Sequence, residues 1–150
     1  MTRRYMNIIK IKNLGDYDAD LHHNRHSAPA ADSGCPAYCL DKLISDVYSS
    51  KYMPMYLSNR YIRNIISTLK NNPDALVTVY RAVPLNIDSI NDGDWVSVSR
   101  EYAEDHGRCQ FGDDFNLLVT DIPARWLYWD GNDQHEFGAD SRILDNDYIK

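Results

Sequence analysis

Apolar positions change their period once along this chain, at Pro73. Just before it, Tyr61, Ile62, Ile65, Ile66 and Leu69 recur at i, i+3 and i+4 spacing, the stripe of an amphipathic helix over residues 58–70. Ser58 is the expected N-cap, Lys70 complements the negative end of the helix dipole, and Asn71-Asn72-Pro73 stops the helix. Residues 40–50 carry a weaker version, with Leu40, Leu43, Ile44 and Val47 on one helical face, and Pro54 breaks the stretch after it. Further upstream, residues 5–12 read as a short first strand. Residues 13–39, rich in Asp, His, Ala, Pro and Ser, read as a long irregular segment, of a kind usually functional or tied down by packing.

After Pro73 the period is two. Residues 75–82 alternate, with Val77, Val79 and Arg81 on one strand face and Leu76, Thr78 and Tyr80 on the other, and Pro84 ends the strand. Asn91-Asp92-Gly93 is a turn, and residues 95–99 form a second strand. A helix over residues 100–106 takes Ser99 as its cap and Gly107 as its stop. Residues 116–122 form a third strand, residues 123–127 one helical turn opened by proline, and residues 130–133 a tight loop. A strand over residues 134–137 comes next, and Arg142-Ile143-Leu144 closes the chain. Helical signals come first and strand signals afterwards, which predicts an α+β fold. It reads as a single domain, with a loop and helical part (1–72) packed on a β-rich part (73–150).

A chain of 150 residues is expected to bury about two thirds of its unfolded surface, so it needs neither disulfide nor metal to fold. The net charge of −6 argues against bulk binding of nucleic acid, which needs a Lys/Arg footprint. No signal peptide and no span of about twenty apolar residues is evident, so no membrane partner is expected. Three cysteines, Cys35, Cys39 and Cys109, without an export signal read as free thiols in a reducing, cytoplasmic compartment. Zinc at His22-x3-His26 with Cys35-x3-Cys39 is disfavoured by the loose spacing, and no metal is expected. The excess of tyrosine over phenylalanine, eleven against three, suits half-wet clefts.

Four residues carry candidate chemistry. Arg81 ends an inward strand face, where a guanidinium must find either a carboxylate partner or a cleft whose ligand offers phosphate or ribose oxygens. Ser97 and Ser99 share a face at a strand end; Ser99 caps the following helix, or both hydroxyls bond a ribose. Glu136 comes after a turn-rich loop, with Gln134 expected on the same face. It is either a solvated strand-end residue or the negative charge that a glycosidic cleavage with cationic character requires.

In that order, Tyr80-Arg81, then Trp95-Val96-Ser97-Val98-Ser99, then Gln134-His135-Glu136, the chain resembles mono-ADP-ribosyltransferases of the arginine–serine–glutamate type. The resemblance is closer to the ADP-ribosyltransferase-like domain of polyvalent proteins from phages and mobile elements. It is carried by His26-Ser27-Ala28-Pro29, Tyr80-Arg81-Ala82-Val83-Pro84, Ile90-Asn91-Asp92-Gly93-Asp94-Trp95-Val96, Ser99-Arg100-Glu101-Tyr102-Ala103 and the run from Trp129 to Gly138. It covers about residues 15–145. Val98 stands where the family's serine block has threonine, and Asp140 lacks the proline that usually accompanies it.

The resemblance implies a split, mostly antiparallel sheet core with a central cleft for NAD as co-substrate. Arg81 would grip the NAD phosphates or ribose, with Tyr80, Ser99, Tyr102 and a loop containing His26 around the nucleotide. Ser97 would sit near the nicotinamide ribose and help position Glu136, which would bond the ribose 2′-hydroxyl and favour an oxocarbenium-like transition state. Residues 129–135, with Trp129, Asp133 and Gln134, would present the acceptor, and Gln134 leans away from arginine as target. The implied activity is ADP-ribosylation of a host macromolecule, a protein rather than a nucleic acid, by a phage-encoded enzyme. The alternatives are an inactive transferase fold acting as a binding protein, and NAD hydrolysis with water as acceptor.

Overall fold

The structure is a computed structural model that describes residues 5–17 and 34–142. The chain is α+β, with two mostly antiparallel sheets and few helices. The first sheet has the order β1-β5-β3, from β1 (Tyr5–Lys10), β3 (Leu76–Val83) and β5 (Asp114–Pro123). β3 runs antiparallel to β5, with Arg81 opposite Leu118, while β1 runs parallel to it, with Tyr5 opposite Asp114. The second sheet has the order β2-β6-β7-β4, from β2 (Cys35–Pro36), β4 (Asp94–Val96), β6 (Leu127–Trp129) and β7 (Phe137–Ala139), and all its pairings are antiparallel. Among the described residues one pair joins the sheets: Tyr80 N–H donates to the Ser97 carbonyl at 2.8 Å and Ser97 N–H to the Tyr80 carbonyl at 2.9 Å.

The helices α1 (Met53–Tyr56), α2 (Arg60–Leu69) and α3 (Arg100–Phe111) pack against these strands. β5 is the middle strand of its sheet, and both of its faces are covered. Phe115 and Leu117 meet Ala103 of α3, with Tyr80 and Ala82 of β3 beside them. Leu118 and Ile122 face the larger core, shared with Val77, Val79 and Val83 of β3, Ile62, Ile66 and Leu69 of α2, and Trp129 and Phe137 of the second sheet. Each such aliphatic side chain contributes about 1.5–3 kcal/mol on burial, which holds together elements too short to persist alone.

Several local expectations are corrected. Asn59, not Ser58, caps α2, its Oδ1 accepting from Ile62 N–H at 3.0 Å, while the Ser58 hydroxyl accepts from Gln134. Tyr61 lies outside the buried stripe and is exposed. Residues 40–50 do bury Leu40 and Val47, but as a 3-10 turn at Leu40–Lys42 followed by turns closed mainly by i→i+3 bonds. Apolar spacing reports which side is buried and does not separate these two backbones. Pro123 precedes the helical turn instead of opening it; the 3-10 turn spans Ala124–Trp126.

Gly107 does not end α3, which runs on to Phe111 and stops at Gly112, whose φ of 70° is the left-handed conformation that glycine adopts freely. Gly107 is there for space. A Cβ on it would lie 2.5 Å from Phe115 Cε2 and 2.8 Å from Ala82 Cβ. Gly107→Ala is therefore expected to destabilise the fold by about 1–3 kcal/mol, measured by urea unfolding, because helix and sheet must separate to admit one methyl group.

Burial pushes Tyr48 and Tyr128 from the ordinary 10.0 up to about 12. Between these values the unfolded chain has released phenol protons that the folded chain keeps. Stability then falls as pH rises through that window and is intact below it. Thermal melts across it should show the decline, and Tyr48→Phe should make it shallower.

Candidate active site

Beyond the Tyr80–Ser97 pair the ladder between the two sheets stops, and a cleft of ≈ 560 Å³ opens between the end of β3, one side of α3 and the loop before β7. Its volume lies within the range of small-molecule sites, about 300–1,000 Å³. Tyr80 and Arg81 line it from β3, Ser97 from the end of β4, Tyr102 from α3, and Glu136 from the last residue before β7. Residues far apart in the chain thus meet on one wall system.

Arg81 has a carboxylate beside it and also lines the cleft. Its Nη1 donates to the Trp95 carbonyl at 2.7 Å and its Nε lies 3.8 Å from Asp94 Oδ2. Asp94 is almost completely buried, whereas the Arg81 side chain keeps 30% of its surface open to the cleft. The carboxylate and the carbonyl fix the direction of the guanidinium, and the open surface leaves donors for an anionic ligand.

Ser99 is the helix cap: its Oγ accepts from Tyr102 N–H at 3.2 Å. Ser97 is buried, and its Oγ accepts from Ser99 N–H at 3.1 Å. The side chain that holds Glu136 among the described residues is Tyr102, whose Oη donates to Glu136 Oε1 at 2.9 Å. Burial raises the Tyr102 pKa, and the hydrogen bond to Glu136 and its charge raise it further, so the phenol stays a donor. Tyr102 stacks with two imidazoles, its ring centroid 4.6 Å from that of His135 and 6.0 Å from that of His106.

The loop before β7 departs from its expected form. Residues 133–136 are a turn closed by Glu136 N–H on the Asp133 carbonyl at 3.1 Å, and β7 begins only at Phe137. Gln134 and Glu136 therefore do not share a strand face. Gln134 turns to the start of α2, where its Oε1 accepts from Asn59 N–H at 2.7 Å and its Nε2 donates to Ser58 Oγ at 2.8 Å. Trp129 is fully buried, stacked on Phe137, with Nε1 donating to the Asp133 carbonyl at 2.9 Å. It anchors the loop from below and presents no surface to an acceptor. Asp133 is exposed and bonds His135.

His26, with His22 and His23, lies outside the described residues. Cys35 and Cys39 are buried with their sulfurs 3.8 Å apart, and their mutual hydrogen bond together with burial pushes the Cys35 thiol up. Asp140, where the resemblance departs from its usual phrase, is fully buried and takes a paired contact from Arg142 through Nε at 2.9 Å and Nη2 at 2.6 Å.

Sequence reasoning missed His106 and His135 as cleft residues. The signal for His106 was its place one turn beyond Tyr102. His135 had none, because strict alternation would turn it away from Glu136. Comparison with protein-family models, curated proteins and solved structures found no match. Among the described residues no helix is long and apolar enough to cross a membrane.

Gln134→Ala removes two hydrogen bonds that tie the loop to α2. At about 0.5–1.5 kcal/mol each, the expected loss is about 1–3 kcal/mol of stability in chemical denaturation.

Proposed function

We propose that the cleft binds NAD and that the protein transfers ADP-ribose from it to a macromolecular acceptor. The observation that carries this reading is the meeting of Arg81, Ser97, Tyr102 and Glu136 on one cleft, in a sequence that resembles the arginine–serine–glutamate transferases. The acceptor we propose is a host protein, as the resemblance to phage-type domains implies.

The chemistry is set by the charges. The open face of the Arg81 guanidinium suits the diphosphate, which it can meet with two parallel N–H bonds. Cleavage breaks the bond between C1″ of the nicotinamide ribose and the pyridinium nitrogen. The electron pair leaves on nicotinamide, which departs neutral, and positive charge develops on C1″ and the ring oxygen. Glu136 supplies the compensating negative charge. Because Tyr102 takes Oε1, the second carboxylate oxygen is the one left to accept from the ribose 2′-hydroxyl. Tyr80 adds an aromatic wall that a nicotinamide ring packs on.

The test is incubation with NAD labelled on the adenylate phosphate in a cell lysate, wild type beside Glu136→Gln. The amide keeps the shape and removes the charge, so labelled product should fall by a factor on the order of 10²–10³. Equal labelling by Glu136→Gln and wild type would refute the mechanism.

A further inference from the structure

We infer that His135, oriented by Asp133, is the base that takes the proton from the acceptor, and that the acceptor is a hydroxyl or thiol group on a protein. The inference rests on the NAD reading of the cleft and assigns its second half-reaction.

His135 sits next to Glu136 in the chain and lines the cleft. The ring is held in two ways. It stacks on Tyr102 with an interplanar angle of 16°, on the same tyrosine whose hydroxyl holds Glu136. Its Nδ1 lies 3.0 Å from Asp133 Oδ1, and that oxygen also accepts the backbone N–H of His135 at 2.8 Å. A carboxylate oxygen accepts here, so in the neutral tautomer that this contact selects Nδ1 carries the hydrogen and Nε2 the lone pair. This is the arrangement in which a carboxylate fixes the tautomer of an imidazole and stabilises its protonated form. His106 also lines the cleft, but no carboxylate holds its ring among the described residues. Gln134, expected to meet the acceptor, has both ends of its amide engaged at α2.

The step balances without any further reactant. As the C1″–N bond breaks, the electron pair leaves with nicotinamide. A lone pair of the acceptor oxygen or sulfur forms the new bond to C1″, its attached proton becomes acidic, and His135 Nε2 removes it and later releases it to water. Hydroxyls and thiols fit because they carry a lone pair while still protonated. A guanidinium would have to lose a proton first, at a pKa above about 12, beyond the reach of an imidazole. A carboxylate needs no base and would approach a loop already carrying Asp130, Asp133 and Glu136.

The experiment measures protein label and free nicotinamide together, in lysate with labelled NAD, for wild type, His135→Phe, His135→Ala and Asp133→Asn. Circular dichroism checks that each variant is folded, and His135→Phe keeps a ring against Tyr102. Label per nicotinamide released should fall at least about tenfold in both His135 variants and less in Asp133→Asn. Added imidazole should restore transfer by His135→Ala. The label should resist neutral hydroxylamine, with release by mercuric ion marking the thiol case. An unchanged ratio, a loss that imidazole does not restore, or a label released by hydroxylamine would each overturn the inference while leaving the NAD reading standing. Nicotinamide release by wild type without labelled protein makes water the acceptor and overturns it too. No nicotinamide release by wild type overturns the NAD reading, and this inference with it.

Discussion

Two backbone hydrogen bonds between Tyr80 and Ser97 form the ladder that joins the sheets among the described residues, and the geometry of the cleft depends on them. They fix where β3 and β4 touch, and the pairing stops there. On one side of that point Ser97 leaves its sheet, bonds Ser99, and hands the chain to the cap of α3. On the other side the next link between the sheets is a side chain, the Arg81 guanidinium on the Trp95 carbonyl. An arginine takes over where the backbone ladder ends. The same event opens the cleft and aims its cation. This also accounts for a nearly buried Asp94 beside Arg81: the pair is structural and positions the fork.

The cleft's negative side is built differently. Glu136 belongs to no strand. It is held by a phenol from α3, by the turn that closes on Asp133, and by Trp129, which pins that turn to the core. The phenol touches the carboxylate, and the other two fix the backbone that carries it. The Gly107 contact matters for this arrangement, because a helix that stood further from Phe115 would carry Tyr102 away from Glu136. Packing under α3 and placement of the carboxylate are one problem in this fold.

Much of the architecture was legible in the sequence because burial leaves a period. The face of β3 carrying Val77, Val79 and Arg81, the helix with Ile62, Ile66 and Leu69, and the cap at Ser99 are all readable from spacing and residue type. So was the cleft quartet Arg81, Ser97, Tyr102 and Glu136, through ordered motifs that resemble one family. What spacing does not encode is turn geometry and competition for partners. Residues 134–137 look alternating, yet a turn at 133–136 sends Gln134 to α2 and leaves His135 lining the cleft. Ser58 and Asn59 are equally good caps on paper. Asn59 takes the cap, and the serine hydroxyl accepts instead from Gln134, far along the chain. Gly107 reads as a stop by type and proves to be a spacer, since only the neighbouring sheet makes its missing Cβ matter. Parallel pairing of β1 with β5 is likewise set by the whole sheet and by no local signal.

NAD binding in this cleft is tested most directly by titrating the isotopically labelled protein with NAD and reading backbone amide chemical shifts. Binding there predicts saturable shifts concentrated at Tyr80–Val83, Trp95–Ser97, the first turns of α3 and residues 135–136, with the Arg81 side-chain resonance among the most affected. An absence of shifts at millimolar NAD, or shifts centred away from this cleft, would contradict it.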